Sequence, residues 1–354
     1  MTSALILVCV LFTVFNCSPP STVEIISDYS QRIQNVVGNE NQKPYTSSLK
    51  SYPRRRHIKL HYTDKRISFL DFFKLNQCGL QELIANRNSA LGKQMLNSQQ
   101  LLYEHKLSLT LTTCINQHKD LPNPNEDFIN KLHEIKDGKA NDLSVAYWNG
   151  VFASKEMENH FSFSMGPLDI NQDLQPSLQL NALKYLNNLN SKLGTSPTIT
   201  SEEMEVHYQI LSNRPYGGEL LQSMDLLSFY LNEIANSLNK ATRSNKFCSQ
   251  SISRQKADIL NNIFNKFYVG KIQPYLARVH KESHNWLTIL DELVNQHPVK
   301  ATKFLSYYEY QLDPREKTST FERLNYANTR HVNAWQRFFE KCDIASHTGN
   351  TKKH

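Results

Sequence analysis

The stretch ELLQSMDLLSFYLNEIANSLN, residues 219–239, sets Leu220, Met224, Leu227, Leu231 and Leu238 at intervals of three, four and seven. That spacing gathers apolar side chains into one stripe of an α-helix. Just before it, Pro215-Tyr216-Gly217-Gly218 reads as a connector, so the helix is expected to begin at Glu219. The same period continues from Ile252 to Asn295 through Ile259, Ile263, Phe267, Leu276, Val279, Trp286, Leu290 and Leu293, with Pro274 starting a new helix or kinking this one. After Pro314 it returns in Phe321, Leu324, His331, Trp335 and Phe338.

Toward the N-terminus, Thr200 and Glu203 have the capping-box spacing for a helix through Met204, His207 and Leu211, and Pro176 suits the first position of a helix from Ser177 to Leu193 closed by Gly194. Helical spacing is also present in Asp142 to Phe163, Phe128 to Ile135, Ser98 to Gln117, Leu80 to Asn88 and Ile67 to Leu75. Thr22 to Val37 has it too, with Ser21 or Thr22 placed to cap. His57 to Tyr62 instead alternates, with Ile58, Leu60 and Tyr62 separated by polar residues, which predicts a short extended segment. The expected fold is therefore an all-α, multi-helix globular domain with room for one short β segment near residue 58. It occupies residues 39–354 as a single helical domain, with a possible sub-boundary near 194–200.

Composition agrees. With 354 residues, 39% of them apolar, the chain can bury a large core, whereas 11 glycines are few for phosphate-cradling loops or a many-turned β architecture. The net charge of +7 is spread among 33 acidic residues. Without aromatics interleaved in a broad basic surface, no nucleic-acid partner is expected. The densest basic run, Arg54-Arg55-Arg56-His57, reads first as a solvated loop and second as a contact for phosphate or an anionic membrane.

Residues 4 to 15 form an apolar run too short to span a bilayer but suited to the core of a secretory signal, so residues 1–16 are expected to be removed. Cys17 closes that run ahead of a polar stretch, as the acylated cysteine of a lipoprotein does, although Asn16 stands where a small residue is usual. Residues 17–38 would then be the lipid-anchor linker and first helix, holding the protein at a membrane surface on the periplasmic side of a bacterial envelope. Cys78, Cys114, Cys248 and Cys342 remain, which can form two disulfides in three connectivities. Pairing Cys78 with Cys114 and Cys248 with Cys342 is the simplest, since each pair brackets a coherent run of helices.

Enzymatic signatures are weak. Ser47/Lys50 and Ser237/Lys240 have the Ser-x-x-Lys spacing of acyl-serine enzymes without their companion motifs. His280 and His284, with Glu282 between them, could share a metal, but no third ligand is identifiable and neither metal nor cofactor is expected. Asp71, Glu82 and Glu104 read more simply as exposed helix charges than as a glycosidase pair.

One segment carries a resemblance: Ile67-Ser68-Phe69-Leu70-Asp71-Phe72, Cys78-Gly79-Leu80-Gln81, Arg87-Asn88-Ser89-Ala90-Leu91-Gly92-Lys93 and Ser98-Gln99. With Trp148-Asn149, Lys246-Phe247-Cys248 and Phe338-Phe339-Glu340-Lys341-Cys342, it resembles an uncharacterised family of proteobacterial lipoproteins, domain of unknown function 3080. The resemblance implies an address and a layout, with no catalytic residues attached.

The expected function is non-catalytic: an envelope lipoprotein binding a partner protein or small anionic ligand. The alternative is a hydrolase of an envelope polymer or ester. A pair of buried carboxylates, or a Ser beside a His, in the main pocket would favour the enzyme, and an apolar groove would favour binding. The candidate ligand site is the polar turn carrying Arg87, Asn88, Ser89 and Lys93, whose guanidinium and ammonium suit an anion. The competing expectation is that Asn88 and Ser89 cap helices, Gly92 turns the chain and Arg87 pairs with Glu82. The ligand-site expectation rests on Leu80, Leu83, Ile84 and Leu91 packing on Leu101, Leu102 and Leu109 across an antiparallel helical hairpin, clamped by Cys78 and Cys114, which would hold that turn rigid.

Overall fold

Ser21 opens the first helix, α1 (Thr22–Val37), as a capping box: its Oγ accepts from the Glu24 N–H at 3.3 Å and the Glu24 carboxylate accepts from the Ser21 N–H at 2.7 Å. Gly38, at φ 73°, closes it in the left-handed region. The computed structural model describes residues 20–38, 43–63, 75–172, 177–243, 248 and 251–344. It is helical, with no strand among the described residues. The signal segment, Cys17, Asp71 and all of the helix expected over Ile67 to Leu75 except Leu75 lie outside them.

After α1 come α2 (Arg55–Ile58), a single turn; α3 (Leu80–Asn88); α4 (Asn97–Lys119); α5 (Glu126–Val151); and α6 (Lys155–His160). Then follow α7 (Ser177–Leu189), α8 (Ser201–Asn213), α9 (Tyr216–Arg243) and α10 (Ser251–Ile263). A π-helical segment (Phe264–Ile272) leads into α11 (Gln273–Gln296), α12 (Thr302–Gln311) and α13 (Thr320–Lys341).

Several expected boundaries move. The alternating stretch near residue 58 is not a strand: Arg55–Ile58 is a helical turn, and Leu60 finds its strand-like partner in a side chain. Its N–H donates to Asn149 Oδ1 at 2.8 Å and its carbonyl accepts from Asn149 Nδ2 at 2.9 Å, so one buried amide satisfies what a neighbouring strand would. Phe128 to Ile135 and the start of Asp142 to Phe163 are one continuous helix, because Lys136–Asn141 contains no proline and its single Gly138 costs only about 1 kcal/mol. The chain then breaks before Ser154, which caps α6 through Met157 N–H. Helix α9 starts at Tyr216, three residues before the expected Glu219, and α12 was not anticipated.

Helix α9 is the central member. Leu220, Leu221, Met224, Leu227, Leu231, Ile234 and Leu238 are buried along it, and it packs on α1, α11 and α13. Helix α13 answers with one stripe of Phe321, Leu324, Ala327, His331, Ala334, Trp335 and Phe338. At about 2 kcal/mol for each large side chain fully buried, this interface carries much of the fold's stabilisation. The antiparallel pair α4/α5 joins the main core through Leu101 and Leu102. Its far end builds a smaller core, where Leu80 and Ile84 of α3 meet Tyr103, Leu107, Leu111, Phe128, Ile129 and Leu132. Leu91, expected in that interface, is 84% exposed.

Both expected disulfides are present. Cys78–Cys114 ties the start of α3 to α4 with Cα atoms 5.7 Å apart, and Cys248–Cys342 ties the segment after α9 to the end of α13 with Cα atoms 5.1 Å apart. Such bridges persist in oxidising compartments, which agrees with an exported protein. Among the described residues no helix is long and apolar enough to cross a membrane.

Candidate functional site

The turn that the sequence offers as a ligand site is built by its own side chains. Ser89 Oγ donates to the Asn86 carbonyl at 2.7 Å and accepts from Gly92 N–H at 3.0 Å, and Arg87 Nη1 donates to the Gly92 carbonyl at 2.7 Å. A Cβ on Gly92 would lie 2.2 Å from the Asn86 carbonyl oxygen, so only glycine allows this closure. The capping expectation holds for Ser89, while Arg87 turns to Gly92 instead of Glu82. Asn88 and Lys93 are exposed.

The other signalled groups also find structural partners. His280 and His284 are exposed and cover the ring of Phe321, with centroids 4.9 and 6.1 Å away, whereas Glu282 is buried and accepts from Tyr216 Oη at 3.2 Å. Ser47 Oγ, Ser48 Oγ and N–H, and Tyr45 Oη all donate to the Asp225 carboxylate, strapping residues 45–48 onto α9. Lys50 lies 3.5 Å over the Tyr310 ring while Ser47 is held by Asp225, so the Ser47/Lys50 pair is not assembled; Ser237 Oγ donates to the Glu233 carbonyl. Glu82 is exposed, but Glu104 is 3% exposed and burial pushes its carboxyl above the usual range. His118 lies within 4.8 Å of both sulfurs of Cys78 and Cys114, which are bonded to each other and so offer no thiolate.

A groove of about 910 Å³ runs between the α10/π-helical rod and α13. It falls within the volume range typical of ligand sites. Phe264 and Tyr268 from one side meet Trp335 and Phe339 from the other, with Phe264 4.8 Å from Trp335 and 5.1 Å from Phe339 between ring centroids. These rings are nearly buried, and Val269, Val332 and Ile344 extend the apolar surface outward. Asn261, Asn265, Gln273 and Gln336 supply uncharged amides, and Glu340 is the one charged lining residue named in the groove.

The helix that forms one wall widens to π geometry immediately before Pro274. Proline lacks an N–H to donate and its ring conflicts with the carbonyl four residues earlier, that of Gly270. π-helical stretches inside α-helices are frequent at functional sites.

Beneath the rings, Trp335 Nε1 donates to Tyr29 Oη at 3.0 Å and lies 3.1 Å from His331 Nε2, while Tyr29 Oη is 3.0 Å from the same nitrogen. Burial lowers His331 to about 3, so the imidazole is neutral, and burial raises Tyr29 well above the phenol range. No serine and no second carboxylate is among the groove's named lining residues. In sequence, Phe267, His331, Trp335 and Phe338 are positions of an apolar helical period. The local signal of a groove is the pairing of aromatics four residues apart on two helices, Phe264/Tyr268 and Trp335/Phe339, interleaved with Asn261, Asn265 and Gln336 where leucines would be expected in a closed core.

Comparison with known proteins gives a single family. The family model described as a protein of unknown function, DUF3080, matches residues 26–346. No curated protein and no solved structure matches. The matched span contains both disulfides, the whole groove and the turn at Arg87 to Lys93.

Proposed function

We propose that this chain, which belongs to the DUF3080 family of proteins of unknown function, is a non-catalytic envelope lipoprotein that takes up a neutral, largely apolar ligand in the groove between the π-helical rod and α13. The observation that carries this reading is the groove's chemistry: four aromatic rings at the base, aliphatic edges, amides at the rim and one carboxylate. Hydrolysis of a polymer or ester would call for paired carboxylates or an activated serine there. The Arg87 to Lys93 turn supports anion binding less, since its guanidinium is engaged with the Gly92 carbonyl.

Binding of the neutral dye Nile red tests this reading. Of the three tryptophans only Trp335 is among the groove's lining residues, so a bound dye should quench part of the tryptophan emission. Val269 is 41% exposed, and Val269→Glu should leave folding intact while weakening the dye by roughly tenfold or more, because a carboxylate would have to be desolvated beside the ligand. Equal affinity in the two proteins would place the dye elsewhere and overturn the assignment.

The anchor is part of the same proposal. Cys17 follows the apolar run of residues 4 to 15 and precedes Ser18-Pro19-Pro20, so acylation there would hold the groove close to a membrane from which apolar molecules can be drawn. The intact mass of native protein is expected to correspond to a chain beginning at Cys17 with acyl groups added. The mass of an unmodified chain would contradict it.

A further inference from the structure

The two sulfurs of the Cys78–Cys114 bridge are unlike. Cys114, within α4, is 1% exposed, whereas Cys78 is half-buried and lines a surface depression of about 360 Å³ together with Glu82, Leu83, Lys106 and Leu109. Cys114 is not among the lining residues named there. A thiol entering the depression therefore meets Cys78 first. In thiol–disulfide exchange a thiolate attacks the sulfur that it can reach, and the other sulfur departs.

An imidazole stands where the departing sulfur needs help. His118 follows Cys114 by four residues on α4, one turn along the same face, and one of its ring nitrogens lies within 4.8 Å of both sulfurs. A thiolate is stabilised beside an imidazolium, and a stabilised thiolate leaves faster. Among the described residues no His, Asp or Glu is grouped in this way with Cys248 and Cys342, which makes that bridge an internal control. Leu75 and Leu80, 1% and 0% exposed, anchor the chain on either side of Cys78 in the smaller core. A reduced Cys78 would stay beside Cys114, and the bridge could re-form.

We propose that Cys78–Cys114 is an exchange-active disulfide that accepts electrons from thiols entering this depression, with Cys78 the sulfur attacked, Cys114 the sulfur that leaves and His118 assisting its departure. In an oxidising compartment the closed bridge is the resting form. The incoming thiolate bonds to Cys78 Sγ as the Cys78–Cys114 bond breaks. Cys114 departs with the bonding pair and takes a proton from the His118 imidazolium, which regains one from water. A second thiolate then attacks the incoming sulfur of the mixed disulfide and releases Cys78 as a thiolate. Two thiols are thereby oxidised to their disulfide, and the bridge is reduced by the same two electrons. Each event consumes one bridge, so this is a stoichiometric exchange, independent of the groove.

Glutathione is a suitable probe, because a monothiol leaves a mixed disulfide that can be mapped. After exposure of the full protein to glutathione and quenching with N-ethylmaleimide, peptide mass spectrometry should find glutathione on Cys78 and the maleimide on Cys114. His118→Gln should slow this exchange about three- to tenfold, with circular dichroism and the exchange rate of Cys248–Cys342 unchanged. A purely structural role would act with the opposite sign. The His118 ring packs on Phe128 at 4.8 Å between centroids, and loosening that contact would expose the bridge and speed the reaction. Glutathione on Cys114, no adduct on either cysteine, or a His118→Gln rate equal to or above that of the wild type would overturn the proposal.

Discussion

Acidification from about pH 7 to about pH 4 is expected to unfold the protein cooperatively, through histidines that its core holds neutral. His160 and His331 are fully buried and lowered to about 3, and His297 is lowered to about 4, in each case chiefly by desolvation. The unfolded chain binds protons at these sites from the ordinary imidazole value of about 6.5 downward, while the folded chain does not. Their contribution is therefore fully present above 6.5 and is lost as pH falls toward the folded values. By pH 4 each histidine would have withdrawn on the order of 3 kcal/mol, at about 1.4 kcal/mol per pH unit, against a whole-domain stability of roughly 5–15 kcal/mol. His105 and His207 are also lowered and act in the same direction. Glu104 opposes them, because burial raises its carboxyl and its neutral form, gained on acidification, is the one the fold prefers. Tryptophan emission and circular dichroism followed across this range should change together between about pH 6 and 4. Native signals persisting to about pH 3 would show that the imidazoles reach solvent or a partner when charged.

Among the glycines whose surroundings the structure describes, Gly218→Ala is expected to be the most damaging added methyl. A Cβ at Gly218 would lie 1.9 Å from the Ser162 carbonyl oxygen and 2.7 Å from its carbon, and both are backbone atoms that cannot rotate away. At Gly217 the corresponding Cβ would lie 2.6 Å from Trp286 Cζ2 and 2.9 Å from the His160 ring. These two glycines let the first turn of α9 touch the chain after α6, so overpacking there should cost about 3 kcal/mol or more. Gly38→Ala is the control: it sits at φ 73° with open space around its Cβ, and should cost about 1 kcal/mol of backbone strain. Urea denaturation of the three proteins would check the order. A Gly218→Ala midpoint equal to that of the wild type would mean that α9 and the Ser162 backbone are farther apart than described.

Those glycines also mark where sequence reading stops. Pro215-Tyr216-Gly217-Gly218 looks like a connector because glycine is most often spent on turns, but here the pair is helical and serves close approach. The apolar stripes of α9 and α13 were legible since each repeats on one helix, and Ser21 and Thr200 were legible because a cap and its target lie within four residues. Helix α12 was missed: its buried face is Phe304, Tyr307, Tyr308 and Gln311, and Gln311 Oε1 accepts from Lys50 N–H at 2.7 Å across the fold. A polar residue buried by a distant backbone has no local signature. Asn149, which stands in for a strand beside Leu60, is the same case. The groove was hidden for a related reason, since Phe264 and Tyr268 reach Trp335 and Phe339 only once the rod and α13 are paired.

Whether the groove holds a neutral apolar molecule is read most directly by organic extraction of the natively purified protein followed by mass spectrometry, with Val269→Glu processed in parallel. One neutral, apolar species is expected, approaching stoichiometry with the wild-type protein and depleted in the variant. A wild-type extract no richer than that of Val269→Glu would contradict it.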